Sequence, residues 1–124
     1  QSVAMFGKLS SPMTGAEFAE KIGKTLNRKP LHIAPENQDK MITTVGWCTG
    51  GGQDSIELAA SQGIDAFISG EISERTTYSA REQDIHYFAA GHHATERYGV
   101  KALGEWLTKE HGLDVEFIDI DNPV

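Results

Sequence analysis

The sequence predicts an α/β domain in three layers, a mostly parallel sheet with helices on both faces. Two observations lead to this. Short β-branched or apolar runs alternate with stretches of helical periodicity, the pattern of strand-helix-strand crossovers. The strand ends run into glycine-bearing joints, Thr49-Gly50-Gly51-Gly52, Gly70-Glu71 and Gly91-His92, where a chain leaving a sheet must turn tightly. At 124 residues, 39% hydrophobic and 23% charged, the chain has the size and composition of one soluble domain with its own core, so residues 1–124 are read as a single α/β unit.

Each element has a local reason. Thr14 and Glu17 have capping-box spacing, and Phe18, Ile22 and Leu26 follow on one face, predicting an amphipathic helix over residues 14–27. Pro30 and Pro35 bracket a short strand over 31–34, with a turn at 36–39. Residues 41–48 are rich in β-branched side chains and read as a buried strand, after which a helix begins near Gln53 and stops at Gly63. A strand over 66–69, a helix over 73–83 and a strand over 86–90 follow. A last helix starts near His92, carries Val100, Leu103, Trp106 and Leu107, and ends near Gly112. The alternation over 115–120 predicts a final strand.

Composition narrows the function. A net charge of -7 argues against a broad nucleic-acid surface, which needs clustered Lys and Arg. No apolar run approaches the roughly 20 residues that span a bilayer, and Gln1 to Lys8 show no leader pattern. The single cysteine, Cys48, has no partner for an internal disulfide and reads as a small buried residue, in keeping with a cytoplasmic protein.

In an open α/β sheet, ligands gather beyond the carboxyl ends of the strands, where the three glycine-bearing loops emerge. In Gly91-His92-His93-Ala94-Thr95-Glu96, a helix starting near His92 puts its imidazole and the Glu96 carboxylate four residues apart on one face. That pair suits zinc, iron, manganese or nickel. The alternative is a helix start, with Glu96 near the positive end of the dipole and His92 or His93 as the cap. Thr49, Gly50, Gly51 and Gly52 join a strand to a helix start and are candidates to bind an anionic group through backbone N–H groups, or form only a tight turn. Glu71, in the second loop, is a candidate acid or base, a partner to a ligand, or a helix-start carboxylate, with Glu74 beside it. His32, His86 and His111 are read as structural or solvent-facing.

Three ordered motifs carry a resemblance: Trp47-Cys48-Thr49-Gly50-Gly51-Gly52, Asp65-Ala66-Phe67-Ile68-Ser69-Gly70-Glu71, and Ala90-Gly91-His92-His93-Ala94-Thr95-Glu96. They resemble the GTP cyclohydrolase I type 2 homolog family in its bacterial, YbgI-type form. The likeness extends from about Met41 to the terminal Phe117-Ile118-Asp119-Ile120-Asp121-Asn122-Pro123. It implies that this chain matches the C-terminal half of a protein about twice as long, which has two divalent metal ions per subunit and assembles as a toroidal homohexamer. It also implies that His92 and Glu96 are the ligands from this half, while an adjacent His pair and an Asp belong to the other. Tyr78 stands where many members have His, so no third metal-facing group is expected from its helix.

Two functions are carried forward. The first is a dinuclear-metal-dependent hydrolase acting, at full length, on a small anionic or cyclic-amide substrate. The second is a non-catalytic, metal-binding, ring-forming assembly or regulatory module. With two ligands, this chain alone is expected to bind metal weakly and to be inactive.

Overall fold

The structure is a computed structural model and describes residues 3–124. Gln1 and Ser2, the first residues of the segment in which a leader was sought, lie outside them. The order is β1 (Met5–Met13), α1 (Gly15–Leu26), β2 (Leu31–Ile33), β3 (Ile42–Cys48), a 3-10 turn (Gln53–Ser55), α2 (Ile56–Ser61), β4 (Ala66–Ser69), α3 (Glu74–Glu82), β5 (His86–Ala89) and α4 (His92–His111). The five strands form one mixed sheet in the order β1-β3-β4-β5-β2. β3, β4 and β5 are parallel, as the crossovers require, and the edge strands β1 and β2 pair antiparallel.

Both faces of the sheet are covered. On one, Phe18 and Ile22 of α1 pack with Ile42, Val45, Ala66 and Phe88. On the other, Ile56 and Ala59 of α2 and Ala80 of α3 pack with Phe67 and Tyr87. Adjacent residues of β4 and β5 serve opposite layers, as the two-residue period of a strand demands. The register aligns Cys48 with Ser69 and Ser69 with Ala89, so the three parallel strands end together and release their loops at one edge.

Several expected elements appear with their predicted chemistry. Thr14 caps α1: its hydroxyl accepts from the Glu17 amide at 3.2 Å, and the Glu17 carboxylate accepts from the Thr14 amide at 2.8 Å. Asn27 ends the helix in the left-handed region at φ 52°. Three expectations are corrected. The chain near Gln53 forms a 3-10 turn before α2, which is only six residues long. β1 has no counterpart among the predicted elements: Met-Phe-Gly-Lys-Leu-Ser-Ser-Pro-Met lacks a steady apolar alternation, and its pairing with β3 shifts register between Lys8 and Met13. Pro12 is tolerated because the strand lies at the sheet edge.

The strand predicted over 115–120 does not form; residues after α4 have no regular secondary structure. Their alternation serves a helix rather than a sheet. Val115 and Phe117 are 41% and 38% exposed, whereas Ile118 and Ile120 are 73% and 75% exposed, and the better-covered pair lies against α4.

The histidines at the far edge form a pair, His86 buried and His32 half-buried. His32 Nε2 and His86 Nδ1 are 3.0 Å apart, and His86 Nε2 lies 2.8 Å from the Lys40 carbonyl. One tautomer set satisfies both contacts: His86 donates from Nε2 to Lys40, and His32 donates from Nε2 to His86. Gly15 makes room, since a Cβ there would sit 2.5 Å from His32 Cε1. Burial, then the neighbouring His86, pushes His32 down to about 4, and burial lowers His86 as well.

Two predictions follow from this packing. Phe67 is 1% exposed between layers, so Phe67→Ala should cost about 3–5 kcal/mol in urea unfolding. The histidine pair is neutral when folded, while an unfolded imidazole protonates near pH 6.5. Its contribution is therefore complete above that pH and is lost as pH falls toward about 4. The urea midpoint should decline between pH 7 and 5, and more shallowly in His32→Gln; equal slopes would remove the pair from the acid response.

Candidate metal centre

α4 begins at the sheet edge where the parallel strands end. Its N-cap is Gly91, at φ 99° and without a side-chain cap, so neither His92 nor His93 has the capping role weighed from sequence. Thr95 holds the first turn by donating to the Gly91 carbonyl at 2.9 Å, and its oxygen accepts from the Gly50 amide at 3.0 Å. This contact ties the start of α4 to the glycine loop.

The structure brings His92, Glu96 and Glu71 together. His92 Nε2 lies 3.1 Å from Glu96 Oε2, and His92 Nδ1 lies 2.6 Å from Glu71 Oε1. The imidazole is thus held between two carboxylates. Its pKa is raised, first by the hydrogen bond to Glu71 and then by the charge of Glu96, against partial desolvation. Glu71 is anchored through its backbone: the Tyr87 hydroxyl donates to the Glu71 carbonyl at 2.5 Å from within the core.

The glycine loop shapes the rim from below. Gly50 has φ 63°, and a Cβ there would strike the Glu96 carboxylate and come within 3.0 Å of His92 Nε2. Glycine therefore meets both the backbone conformation and the side-chain approach. The Gly50 carbonyl accepts from the Gly70 amide at 2.9 Å and from the Ser69 hydroxyl at 3.0 Å, and the Gly52 amide donates to Ser69 Oγ at 3.0 Å. The amides of Gly50 and Gly52 are thereby engaged inside the fold, while Thr49 and Gly51 are exposed. Cys48, beneath the loop, is a buried free thiol.

The donor set fits part of a metal site. An imidazole nitrogen and a carboxylate oxygen converge four residues apart on a helix, in space that only glycine leaves open. A carboxylate on Nδ1 also directs Nε2 outward, the usual arrangement behind a ligating histidine. Among the described residues no group of three or more His, Cys, Asp or Glu stands ready to hold a metal ion, so His92 and Glu96 offer two donors and not a closed site.

The remaining candidates lie elsewhere. His86 starts β5, at the end away from the rim, with His32 of β2 in contact with it, and His111 packs edge-on against Trp106 at the end of α4. Tyr78 is 53% exposed, with its hydroxyl 3.4 Å from Glu74 Oε1. Sequence reasoning missed Thr95, Tyr87 and Asp119. Asp119 binds His93 and Arg97, neighbours of the rim on the next helix face. Thr95 and Tyr87 sat inside elements already read as helix and strand, with no distinguishing signal. Asp119 is one of several acidic residues in the terminal stretch.

The fold and rim define a class: an α/β domain with a His and a Glu side chain converging at the carboxyl edge of its parallel strands. The family model described as Duf34/NIF3 (NGG1p interacting factor 3) matches residues 1–123, and the chain belongs to that family. Its curated relatives include the GTP cyclohydrolase 1 type 2 homolog of Vibrio cholerae, 77% identical over 124 residues, covering all of this chain and 49% of the relative. The protein of the same name from Haemophilus influenzae is 66% identical over 122 residues, covering 98% of this chain and 48% of the relative. A solved structure titled protein ybgI, unknown function, superposes with a TM-score of 0.92 at 51% identity, covering 100% of this chain and 50% of that one. The chain thus spans about half the length of these relatives.

The hydrogen bond that Glu71 accepts from His92 Nδ1 is the first cause of the raised pKa, so Glu71→Gln should lower the His92 pKa in metal-free protein. Proton NMR titration of the imidazole Cε1–H reads this directly. An unmoved titration would separate Glu71 from the histidine.

Proposed function

We propose that this chain contributes His92 and Glu96 to a dinuclear divalent-metal site that residues from the other half of the family length complete. The observation that carries the reading is the 3.1 Å approach of His92 Nε2 to Glu96 Oε2, with Glu71 on the opposite ring nitrogen. The proposed activity is hydrolysis of a small anionic or cyclic-amide substrate. Divalent cations at such a rim polarise a substrate oxygen and lower the pKa of water toward neutrality. Zinc, iron, manganese and nickel all suit an imidazole-carboxylate pair.

Within that reaction, His92 and Glu96 hold their donor atoms in place. Glu71 fixes the imidazole orientation and is positioned to take or return a proton at its carboxylate. Thr49, Gly50, Gly51 and Gly52 form the loop beside the donors; exposed Thr49 and Gly51 are its substrate-facing part, and Gly50 keeps the approach clear.

A second reading is a metal-binding assembly or regulatory module in a toroidal homohexamer. Val100, Leu103 and Trp106, 64%, 54% and 51% exposed along α4, are the apolar surface that favours assembly. The cytoplasm is the proposed location for either reading, supported by the buried free thiol of Cys48. No helix among the described residues is long and apolar enough to cross a membrane.

The test uses the full-length protein carrying this sequence, with generic phosphate, ester and cyclic-amide substrates and each metal in turn. Metal-dependent turnover that falls at least about a hundredfold in both His92→Ala and Glu96→Ala supports the hydrolase. Metal binding lost in those variants, without turnover by the parent, supports the module. Metal binding and turnover unchanged in both variants would overturn the site.

A further inference from the structure

The segment after α4 follows one face of that helix back to its beginning. Gly104 opens the face: a Cβ there would lie 2.8 Å from Val115 Cγ1, so a larger residue would make the Val115 side chain shift. One turn earlier, the Lys101 ammonium sits 5.9 Å from the centre of the Phe117 ring. Asp119 then takes both remaining positions, with Oδ2 accepting from Arg97 Nη1 at 3.1 Å and Oδ1 lying 2.9 Å from His93 Nε2. At the end, the His93 amide donates to the Val124 carbonyl at 3.0 Å.

Residues 93, 97, 101 and 104 recur at three and four, the spacing of a single helical stripe. His92 and Glu96 each precede a stripe residue by one position, so gripping His93 and Arg97 also sets the rotation of the ligand pair about the helix axis. α4 needs such a hold. Of its twenty residues only Ala94 is buried. Its other ties near the first turns are few: His92 to Glu71, Thr95 to the Gly50 amide, and two to the end of α1, from Arg97 Nη2 to the Leu26 carbonyl at 2.6 Å and from the Tyr98 hydroxyl to the Thr25 carbonyl at 3.2 Å. The tail and the start of α4 also enclose an open cavity of about 420 Å³, with His92 and Glu96 on one wall and Phe117, Ile118 and Val124 on another.

We propose that the C-terminal tail is a strap that orients the metal-ligating turn of α4, and that Asp119 is the positioning residue through which it acts. The proposal rests on the reading of His92 and Glu96 as ligands. Asp119 touches neither; it holds their neighbours. The tail also forms the removable wall of the cavity in front of them, so displacing it both loosens the ligand pair and opens the rim.

The experiment uses the full-length protein with Asp119→Asn, Asp119→Ala and Asp119→Glu, and His92→Ala as the reference. Asp119 lies on the surface, 40% exposed at its side chain, and none of these substitutions enters the core. Hydrogen exchange in metal-free protein reads the strap: amides of residues 93–97 should exchange faster in the Asn and Ala variants, with α1 and the central strands unchanged. Chelator competition with Zn²⁺ or Mn²⁺ reads the consequence: affinity should fall about tenfold to a hundredfold in Asp119→Ala, less in Asp119→Asn, and return substantially in Asp119→Glu. Affinity within twofold of the parent in Asp119→Ala, while His92→Ala loses binding, overturns the positioning role. If His92→Ala binds as the parent does, the metal reading fails, and exchange alone judges the strap: no acceleration at residues 93–97 overturns it.

Discussion

The common ending of three parallel strands is the constraint on which the rest depends. Because Cys48, Ser69 and Ala89 lie side by side in register, the glycine loop, the Glu71 loop and the first turn of α4 must meet at one edge. None of the three makes a site alone. Glu71 reaches His92 across twenty-one residues of sequence, and Gly50 meets Thr95 across forty-five. A one-residue slip in any of these pairings would turn alternate side chains to the opposite layer, forcing residues such as Phe67 and Tyr87 into the wrong core and drawing Glu71 away from its histidine.

The chemistry of the rim follows from how little room that edge leaves. An imidazole between two carboxylates is an electrostatically negative position that favours a proton or a cation on the ring. Gly50 keeps that position from being filled by protein, and the Ser69 hydroxyl and Gly70 amide secure the Gly50 carbonyl so that the loop does not relax away. The same group types at the other end of β5 do the opposite. His32 and His86 bind each other and stack with Phe88, and His86 sits against the Lys40 carbonyl; among the described residues no carboxylate is hydrogen-bonded to either ring. Both are pushed toward the neutral form. Surroundings, not residue type, separate a structural histidine from one poised to hold charge.

Much of this was legible in the sequence wherever local chemistry and tertiary packing agreed. The capping box at Thr14, the glycine after the β3 strand and the helical spacing of His92 and Glu96 each have one satisfactory conformation, and the fold adopts it. Legibility failed where a pattern had two physical solutions. The alternation over 115–120 suits a strand with one buried face, yet it suits equally an extended tail lying on a helix, and only the three-dimensional position of α4 decides. β1 failed for the opposite reason: an edge strand with a register shift, Ser-Ser and Pro presents almost no alternation to read. Glu71 was visible as a polar residue in the right loop, but its pairing with His92 depends on the relative placement of β4 and β5, which spacing does not encode.

Helix α4 makes the distinction between folding and site-building clear. A helix with one buried residue contributes little to the core, and its outer turns carry Val100, Leu103 and Trp106 in contact with water. Its retention as a twenty-residue helix makes physical sense if its work is done at its two ends and along its sides. The first turn presents His92 and Glu96, one side receives the tail, and Val100, Leu103 and Trp106 stay exposed on the rest. Under the proposed metal reading, a rim of two donors fits the same logic: donors that share one edge of one domain leave the opposite hemisphere of a cation open, and completing the coordination there would fall to another surface approaching that edge.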